Sequence, residues 1–286
     1  MTEQTYRVEM KNINKSFGGV QALKDVHIAV KPGEIHALMG ENGAGKSTLM
    51  KILSGAIHRD SGEVFLDGRE VFIKNPKEAN DLGISIIYQE FALVPHLTVA
   101  ENIFIDRLSE DKKGFISWKK LRKSARELLD GLGFEDIKET EIISGLSIAY
   151  QQVVEIVKSL SRNSSVLVLD EPTALLTNKE TRHLFRLLVD LKEKKNVSII
   201  YISHRLEEVF EICDRVTVFK DGRNVDTRDI KDIGEQELVA MMIGREMTDY
   251  YPKRNSKIGE ETFRVTDLNN GRMVQNINFT AYKGEV

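Results

Sequence analysis

The sequence is short of cysteine and has no long apolar run. Its 286 residues include one cysteine, Cys213, which excludes a framework of internal disulfides and fits a reducing compartment. Its apolar stretches, such as Val166–Leu169 and Val197–Ile202, are far shorter than the roughly 18 residues that a membrane span requires. The first ten residues contain no hydrophobic signal segment. If this protein works at a membrane, other chains must supply the spans.

A strong charge of either sign is also missing. Lys and Arg number 41 and Asp and Glu number 44, which gives a formal net charge of −3. This balance argues against a nucleic-acid partner, because such proteins usually carry a basic surface. The 41% of hydrophobic residues is enough for a core, and the length suggests about two domains at roughly 150 residues each.

Strand and helix patterns alternate along the chain. Residues 1–30 alternate as strands do, whereas the region from about 97 to 160 has apolar residues at helical spacing. Residues 166–202 return to the order strand, helix, strand. This order predicts parallel pairing with right-handed crossovers.

Two local signals predict where particular elements turn or begin. Asp67-Gly68 lies between the apolar runs Val64–Leu66 and Val71–Ile73, which predicts a hairpin of these two runs. Thr98 is followed three residues later by Glu101, the spacing of a capping box at a helix start.

A glycine-rich loop lies between a predicted strand and a predicted helix and fits the pattern G-x-x-x-x-G-K-[ST]. Its glycines let backbone N–H groups turn toward a phosphate, and the helix N-terminus adds partial positive charge. We expect Lys46 to reach the β- and γ-phosphates and the Ser47 hydroxyl to coordinate Mg²⁺. The loop therefore predicts nucleotide binding by Gly40, Glu41, Asn42, Gly43, Ala44, Gly45, Lys46, Ser47 and Thr48.

Two acidic residues follow the apolar strand Val166–Leu169 directly. Asp170 is placed to hold Mg²⁺, directly or through water, and Glu171 to polarise a water for attack on the γ-phosphate. An apolar strand ending in two acids is common, so this prediction depends on the phosphate loop standing in the same chain.

The end of the chain resembles its beginning. Residues 274–286 align with residues 23–35 in apolar pattern, with an identical Gly-Glu pair, and Phe263-Arg264-Val265 echoes Tyr6-Arg7-Val8. We interpret this as an internal repeat, in which residues 263–286 are the opening β segment of a second, truncated domain. Two unrelated hairpins of similar composition are the alternative.

Together these residues resemble the ATP-binding cassette ATPases of ABC transporters, over residues from about 5 to 250. The resemblance implies an α/β fold of the P-loop NTPase class, with a RecA-like parallel core, an antiparallel β subdomain and a helical subdomain inserted at about 92–160. It implies a cassette over residues 1–245 and an inter-cassette linker over 246–262.

The resemblance assigns further roles within the site. Gln89 matches the Q-loop glutamine that links Mg²⁺ and the attacking water to the helical subdomain, and His204 matches the switch histidine that contacts the γ-phosphate. Phe17 resembles the aromatic that stacks on adenine. The resemblance thus implies catalysis by Lys46, Gln89, Glu171 and His204, Mg²⁺ held by Ser47, Gln89 and Asp170, and a D-loop at residues 174–177.

One segment departs from the family pattern. The family's signature reads Leu-Ser-Gly-Gly-Gln, and this chain has Leu146, Ser147, Ile148, Ala149 and Tyr150, followed by Gln151. Ser147 and the N-terminus of the following helix are retained and can still offer donors to a γ-phosphate. Ala149 adds a methyl group where close backbone approach is needed, and Tyr150 replaces an amide. Efficient use of this half-site is therefore in doubt.

Within the family, the sequence is similar to the two-cassette ATP-binding subunits of bacterial importers for ribose-, galactose- and xylose-type sugars. The resemblance implies an ATPase at the cytoplasmic face of the membrane that uses ATP and Mg²⁺. Its implied partners are membrane permease subunits, indirectly an extracytoplasmic sugar-binding protein, and the second cassette of the full-length chain. We expect the fragment itself to be soluble, to bind no nucleic acid and to hydrolyse ATP weakly or not at all alone.

Two other functions use the same phosphate loop. A soluble tandem-cassette ATPase acting on the ribosome would join its cassettes by a long basic linker, whereas residues 222–262 here are mixed in charge. A small-molecule kinase would have no reason to combine Gln89, Leu146-Ser147 and His204. The sequence does not name the sugar.

Overall fold

The computed structural model describes residues 5–88, 92–107, 117–243, 258–271 and 273–285. The strands in these ranges are β1 (Val8–Phe17), β2 (Val20–Val30), β3 (Ile35–Gly40), β4 (Ser61–Leu66), β5 (Arg69–Glu70), β6 (Ile84–Ile87), β7 (Val166–Asp170), β8 (Ser198–Ile202), β9 (Arg215–Lys220), β10 (Arg223–Asp229), β11 (Glu261–Asn270) and β12 (Val274–Tyr282). The α-helices are α1 (Lys46–Leu53), α2 (Pro76–Asp81), α3 (Val99–Ile103), α4 (Trp118–Asp130), α5 (Ile148–Ser161), α6 (Asn178–Lys195), α7 (Leu206–Ile212) and α8 (Glu235–Ile243). The chain divides into two compact units, residues 1–245 and 246–286.

The first unit is built on a six-stranded sheet with the order β10-β9-β3-β8-β7-β6. The neighbours β9-β3, β3-β8, β8-β7 and β7-β6 run parallel, and β10 pairs antiparallel with β9. Every residue of β8 is buried, as expected for a strand with both faces covered. The predicted α/β class and parallel pairing are confirmed. The carboxyl ends of β3, β7 and β8 lie side by side, so the loops that follow them meet at one edge.

A second, antiparallel sheet has the order β2-β1-β4-β5. The strand that pairs with β4 is Arg69–Glu70, and the predicted strand Val71–Ile73 is wrong. The chain leaves the sheet after Val71 because Ile73 is drawn into the core and Asn75 caps α2 two residues later. The turn at Asp67-Gly68 is at the predicted place.

Two apolar cores hold the unit together. One lies between the parallel sheet and the helices α3 to α8, and the other between the two sheets, where α1 contributes Leu49, Met50, Ile52 and Leu53. This position buries the helix that follows the phosphate loop and leaves its N-terminus free at the sheet edge. Cys213 is buried in the first core, and burial raises the pKa of its thiol well above the usual value.

The helices α3, α4 and α5 occupy the region predicted to be helical. The capping box of α3 is confirmed: Thr98 accepts from the backbone N–H of Glu101, and the Glu101 carboxylate accepts from the N–H of Thr98 at 2.7 Å. Among the described residues no helix is both long and apolar enough to cross a membrane.

The second unit contains the hairpin of β11 and β12, and it repeats the pairing of β1 and β2. The cross-strand pairs Phe263–Ala281, Val265–Phe279, Leu268–Ile277 and Asn270–Val274 match Val8–Val30, Met10–Ile28, Ile13–Val26 and Lys15–Leu23. In this register Phe263 corresponds to Val8, so the echo of Phe263-Arg264-Val265 with Tyr6-Arg7-Val8 is two residues out of step. The sequence alignment compared side-chain types, whereas the strand pairing is set by the β-bulge in each hairpin.

The bulge is built in the same way in both hairpins. Asn14 donates from Nδ2 to the carbonyl of Asn12 at 3.0 Å and accepts at Oδ1 from the N–H of Asp25 at 3.1 Å. Asn12 and Asp25 both have positive φ. In the second hairpin the corresponding bonds join Asn269 to the carbonyl of Asp267 at 2.8 Å and to the N–H of Asn276 at 2.9 Å.

The turn after each hairpin is also shared. The Glu34 carboxylate accepts from the N–H of Lys31 at 2.6 Å, and Glu285 accepts from the N–H of Tyr282 at 2.9 Å. Gly33 and Gly284, one residue before each glutamate, both have positive φ. Most of the predicted linker, residues 246–257, lies outside the described residues.

Candidate functional site

A cavity of about 390 Å³ lies at the edge of the parallel sheet where β3 and β7 end. It brings together the phosphate loop and the two acids that the sequence separates by more than a hundred residues. Its lining residues are Ala22, Asn42, Gly43, Ala44, Gly45, Lys46, Ser47, Thr48, Asp170 and Glu171. Gly40 and Glu41 do not line the cavity themselves.

The loop takes its shape from glycines that no other residue can replace. Gly40 ends β3 with φ at 146°, and a Cβ there would lie 2.2 Å from the carbonyl oxygen of Phe219. Gly45 has φ at 104°, and a Cβ would lie 2.6 Å from Leu23 and 3.0 Å from the carbonyl oxygen of Ala22. A side chain at either position would push the loop away from β9 or β2. The helix α1 begins at Lys46 as predicted, so its N-terminus points into the cavity with its partial positive charge.

Lys46 is half-buried and held by the loop itself. Its Nζ donates to the carbonyl of Gly40 at 2.6 Å and to that of Glu41 at 3.0 Å. Burial lowers the pKa of Lys46 below its usual value, and the carboxylates of Glu171 and Asp170 oppose that shift. The ammonium is thus anchored in the loop and directed toward the acids across the cavity.

Asp170 supplies a half-buried carboxylate to the cavity. Burial raises its pKa, the neighbouring Glu171 raises it further, and Lys46 counteracts both. The Ser47 side chain lines the same cavity, so a hydroxyl and a carboxylate oxygen share it. Mg²⁺ prefers oxygen ligands and binds through one or two carboxylates together with substrate phosphates and water. The donor set of Ser47 and Asp170 fits that ion.

Glu171 follows Asp170 with an unusual backbone. Its φ is 49°, a left-handed conformation that costs a residue other than glycine roughly 1–2 kcal/mol. The conformation turns the side chain toward β8, where Glu171 Oε1 lies 3.0 Å from Nδ1 of His204. Two residues predicted from separate strands therefore meet beside the phosphate loop.

The remaining predicted residues divide into three groups. Phe17 lies outside the cavity lining, half-exposed, with Nζ of Lys15 5.3 Å from its ring centre. The role of Phe17 as an adenine platform stays a prediction. Gln89 lies outside the described residues.

The signature residues form the third group, and none of them lines the phosphate cavity. Ser147 is the N-cap of α5 and accepts from the N–H of Tyr150 at 3.3 Å, while the Tyr150 hydroxyl donates to Asp136. That hydrogen bond is the main cause that raises the pKa of Tyr150 to about 12. Gln151 donates to the carbonyl of Leu146 at 3.1 Å, and Ile148 is exposed.

Sequence reasoning missed a group of polar residues behind the site. Thr173, Tyr201 and Ser203 are buried and donate to the buried carboxylate of Glu208. One signal could have indicated it: Glu208 stands beside Val209 on a short helix whose apolar face must be buried. Ala22 of β2 was also missed, because it contributes to the cavity only through the packing of the two sheets.

Comparison with known proteins identifies the family. A family model described as ABC transporter matches residues 23–174, more than half of the chain. The chain belongs to the ABC transporter family. It is 46% identical over 283 residues to the ribose import ATP-binding protein RbsA 3 of Rhizobium meliloti (strain 1021), and 43% identical over 280 residues to ribose import ATP-binding protein RbsA of Bacillus subtilis (strain 168). The alignments cover 99% and 98% of this chain but 55% and 56% of those proteins.

Solved ATP-binding cassettes of ABC transporters share the fold. The chain superimposes on a nucleotide-free cassette with a TM-score of 0.72 at 26% identity, over 83% of this chain and 95% of that one. It also matches the ADP conformation of the cassette MJ1267, with a TM-score of 0.73 at 27% identity, over 84% and 99% of the two chains. The P-loop NTPase class predicted for this ABC transporter chain is therefore confirmed.

Proposed function

We propose that this chain binds and hydrolyses Mg-ATP to drive the import of a simple sugar through a separate membrane permease. The observation that carries the chemistry is the shared cavity of Lys46, Ser47, Asp170 and Glu171, with His204 in contact with Glu171. Loop N–H groups and Lys46 bind the phosphates, and Ser47 and Asp170 hold Mg²⁺. Mg²⁺ would neutralise the charge that develops on the γ-phosphate.

Glu171 is the residue that activates the attacking water in this proposal. Its carboxylate lies at the cavity wall, and the imidazole of His204 keeps it turned toward β8. His204 is largely exposed, so it can also reach a γ-phosphate. Gln89 and Phe17 keep the roles that the family resemblance implies for them, as Mg²⁺ and water contact and as adenine platform.

The coupling to transport rests on the relatives and not on the cavity. Two of the matched proteins are named as ribose import ATP-binding proteins. On that basis we propose permease subunits as direct partners, at the cytoplasmic face of the membrane, and a sugar-binding protein as an indirect one. The relatives lend no support to the alternative of a tandem-cassette ATPase acting on the ribosome.

We also propose that residues 263–286 begin a second cassette, after a linker over residues 246–262. The shared register, the shared asparagine bulge and the shared glutamate turn of the two hairpins support this. The chain spans just over half the length of the curated relatives it matches. In a cassette pair the signature of one cassette completes the phosphate site of the other, so the phosphate site described here would be completed by the signature of another cassette.

ATP hydrolysis measured over a wide range of protein concentration tests the proposal, with Glu171→Gln as the blank. Specific activity that rises with concentration means that two copies pair and that the signature with Ala149 and Tyr150 is competent. Binding of Mg-ATP without turnover at any concentration means that catalysis requires the second cassette.

Binding is tested separately by calorimetry. Lys46→Ala should lose Mg-ATP binding by at least a hundredfold, because the ammonium that meets the phosphates is gone. Lys77→Ala, an exposed lysine of α2, is the matched control and should bind as the wild type does. Equal affinity of the wild type and Lys46→Ala would refute the site assignment. Transport is tested by co-purification of the full-length protein with a polytopic permease.

A further inference from the structure

One buried carboxylate joins the two loops that carry Glu171 and His204. Oε1 of Glu208 accepts from the hydroxyl of Thr173 at 2.6 Å, on the loop that follows β7. Oε2 of Glu208 accepts from the hydroxyl of Ser203 at 2.9 Å, on the loop that follows β8. Glu208 thus connects the residue two places after Glu171 with the residue one place before His204.

We call the two hydrogen bonds of Glu208 to Thr173 and Ser203 the Glu208 bridge. Two further side chains donate to the same carboxylate. The Tyr201 hydroxyl donates to Oε2 at 2.8 Å, and Arg205 donates to Oε1 at 3.2 Å. Burial, and then the charge of Glu208, raise the pKa of Tyr201, so its hydroxyl stays protonated and keeps donating. Glu208 and Thr173 are 5% and 2% exposed. A carboxylate this deep needs such donors, because an unpaired buried charge is costly.

The strained backbone beside the bridge needs such support. A left-handed glutamate persists only where its surroundings over-determine it. Two bonds restrain Glu171 from either side: its own N–H donates to the carbonyl of Ile202 at 2.9 Å, and Thr173 is tied to Glu208. Loss of the second bond would remove one of the restraints on the loop that carries Glu171.

We infer that Glu208 is a positioning residue for ATP hydrolysis, which holds the loops of Glu171 and His204 at their contact distance. The inference rests on the proposed function for its catalytic consequence. Glu208 lines no part of the phosphate cavity, so it acts through the two loops and leaves nucleotide binding to the phosphate loop. The expected signature is therefore a loss of turnover with little loss of affinity.

A matched pair of substitutions tests the bridge at one atom. Thr173→Val removes the hydroxyl at nearly constant volume, and Thr173→Ser keeps it. At saturating Mg-ATP, Thr173→Val and Glu208→Gln should lower kcat at least tenfold with the Kd for ATP within threefold of wild type. Thr173→Ser should stay within twofold in both. Glu207→Gln, an exposed neighbour on α7, is the control and should match the wild type.

A spectroscopic readout keeps the test independent of turnover. The imidazole ¹⁵N resonances of His204, assigned with His204→Ala, should shift in Glu208→Gln and Thr173→Val and stay in place in Thr173→Ser and Glu207→Gln. Unmoved resonances in Glu208→Gln, or equal kcat for Thr173→Val and wild type, overturn the inference. If Mg-ATP does not bind to the wild type, the proposed function fails, and the His204 resonances still decide whether the bridge holds the loops.

Discussion

The hairpin of β1 and β2 and the hairpin of β11 and β12 pair in the same register but bury very different amounts of their apolar surface. Ile13 and Val26 face each other in the first and are both fully buried. Leu268 and Ile277 are the corresponding pair in the second, and they are 48% and 43% exposed. The same backbone pairing therefore occurs whether the apolar side chains of the hairpin are buried in a core or exposed.

The difference separates two sources of information. The register is set by neighbours in the chain, because the asparagine bulge and the glutamate turn make their bonds within each hairpin. Burial comes from distant elements, since α1, β3 and β4 supply the side chains that cover the first hairpin. A lone two-stranded hairpin is marginally stable in water, so the second one has the geometry without the stabilisation.

The hairpins also differ at the end where their strands are joined, because β1 and β2 continue to pair through Phe17 and Val20 before the chain turns. Residues 16–22 of the first, which include Phe17, correspond to residues 271–273 of the second. Among the described residues of the second hairpin, no position is equivalent to Phe17. A residue proposed to stack on adenine is thus found in the one part of the hairpin that is not repeated.

The first prediction concerns the buried side chains of the two hairpins, where we expect the greatest loss of stability. Ile13→Ala should cost about 2–5 kcal/mol of unfolding free energy, because it deletes a fully buried side chain. Leu268→Ala, at the corresponding position, should cost about 0.5 kcal/mol or less. Urea denaturation followed by far-ultraviolet circular dichroism measures both, because that signal comes from the backbone of both units. An equal loss in the two variants would contradict the contrast.

The second prediction concerns the two turn glutamates. Burial raises the pKa of Glu34, but its hydrogen bond and charge interaction with His36, the Lys31 N–H and Arg215 outweigh burial and leave the pKa below its ordinary value of 4.5. Its stabilisation is therefore complete above about that pH and is lost as the pH falls through the lowered value. Glu34→Gln should cost about 1–3 kcal/mol at neutral pH and flatten the acid limb of the stability curve.

Glu285→Gln is the matched control for this test. Its carboxylate is exposed and accepts from the Tyr282 N–H. We expect its urea midpoints between pH 3 and pH 7 to follow those of the wild type. An acid limb in Glu34→Gln as steep as in the wild type would rule out Glu34 as its source.

The third prediction concerns the asparagines of the two bulges, where we expect a small change in amide hydrogen exchange in the first hairpin. Asn14→Ala should speed hydrogen exchange at the Asp25 amide by about fivefold, the equivalent of one hydrogen bond, while the packed core keeps the strands in register. Asn269→Ala should remove more protection along β11 and β12, because the apolar side chains of that hairpin are largely exposed and no buried core supports its pairing. Protection that survives in Asn269→Ala would mean that the register does not depend on the bulge.

These contrasts explain which parts of the fold and of the site could be predicted from the sequence. The phosphate loop and the two acids at the end of β7 are contiguous patterns, so the cavity lined by Lys46, Ser47, Asp170 and Glu171 could be predicted. Both Glu171 and His204 were predicted as site residues, but their contact at 3.0 Å was not predicted and comes from the structure. The strand predicted at Val71–Ile73 failed because the burial of Ile73 in the core competes with sheet pairing.

Other features have no contiguous pattern in the sequence. The bridge of Glu208 collects Thr173, Tyr201, Ser203 and Arg205 from two loops and a strand, and no spacing announces it. The register of β11 was misread by two residues, because the likeness of Phe263 to Tyr6 was more visible than the asparagines that fix the bulge. A local sequence pattern can identify which strands pair. Contacts between buried polar side chains depend on how distant elements pack together.

The lone cysteine makes this chain convenient for labelling. Cys213 is buried and its thiol is poorly ionised, so thiol-reactive dyes will react with it slowly. A second cysteine placed on the surface would then carry a fluorophore almost exclusively, without prior removal of the natural one. If one copy carried a fluorophore on α5, which follows Ser147, and another copy carried one beside the phosphate loop, energy transfer between them would report the approach of the two copies.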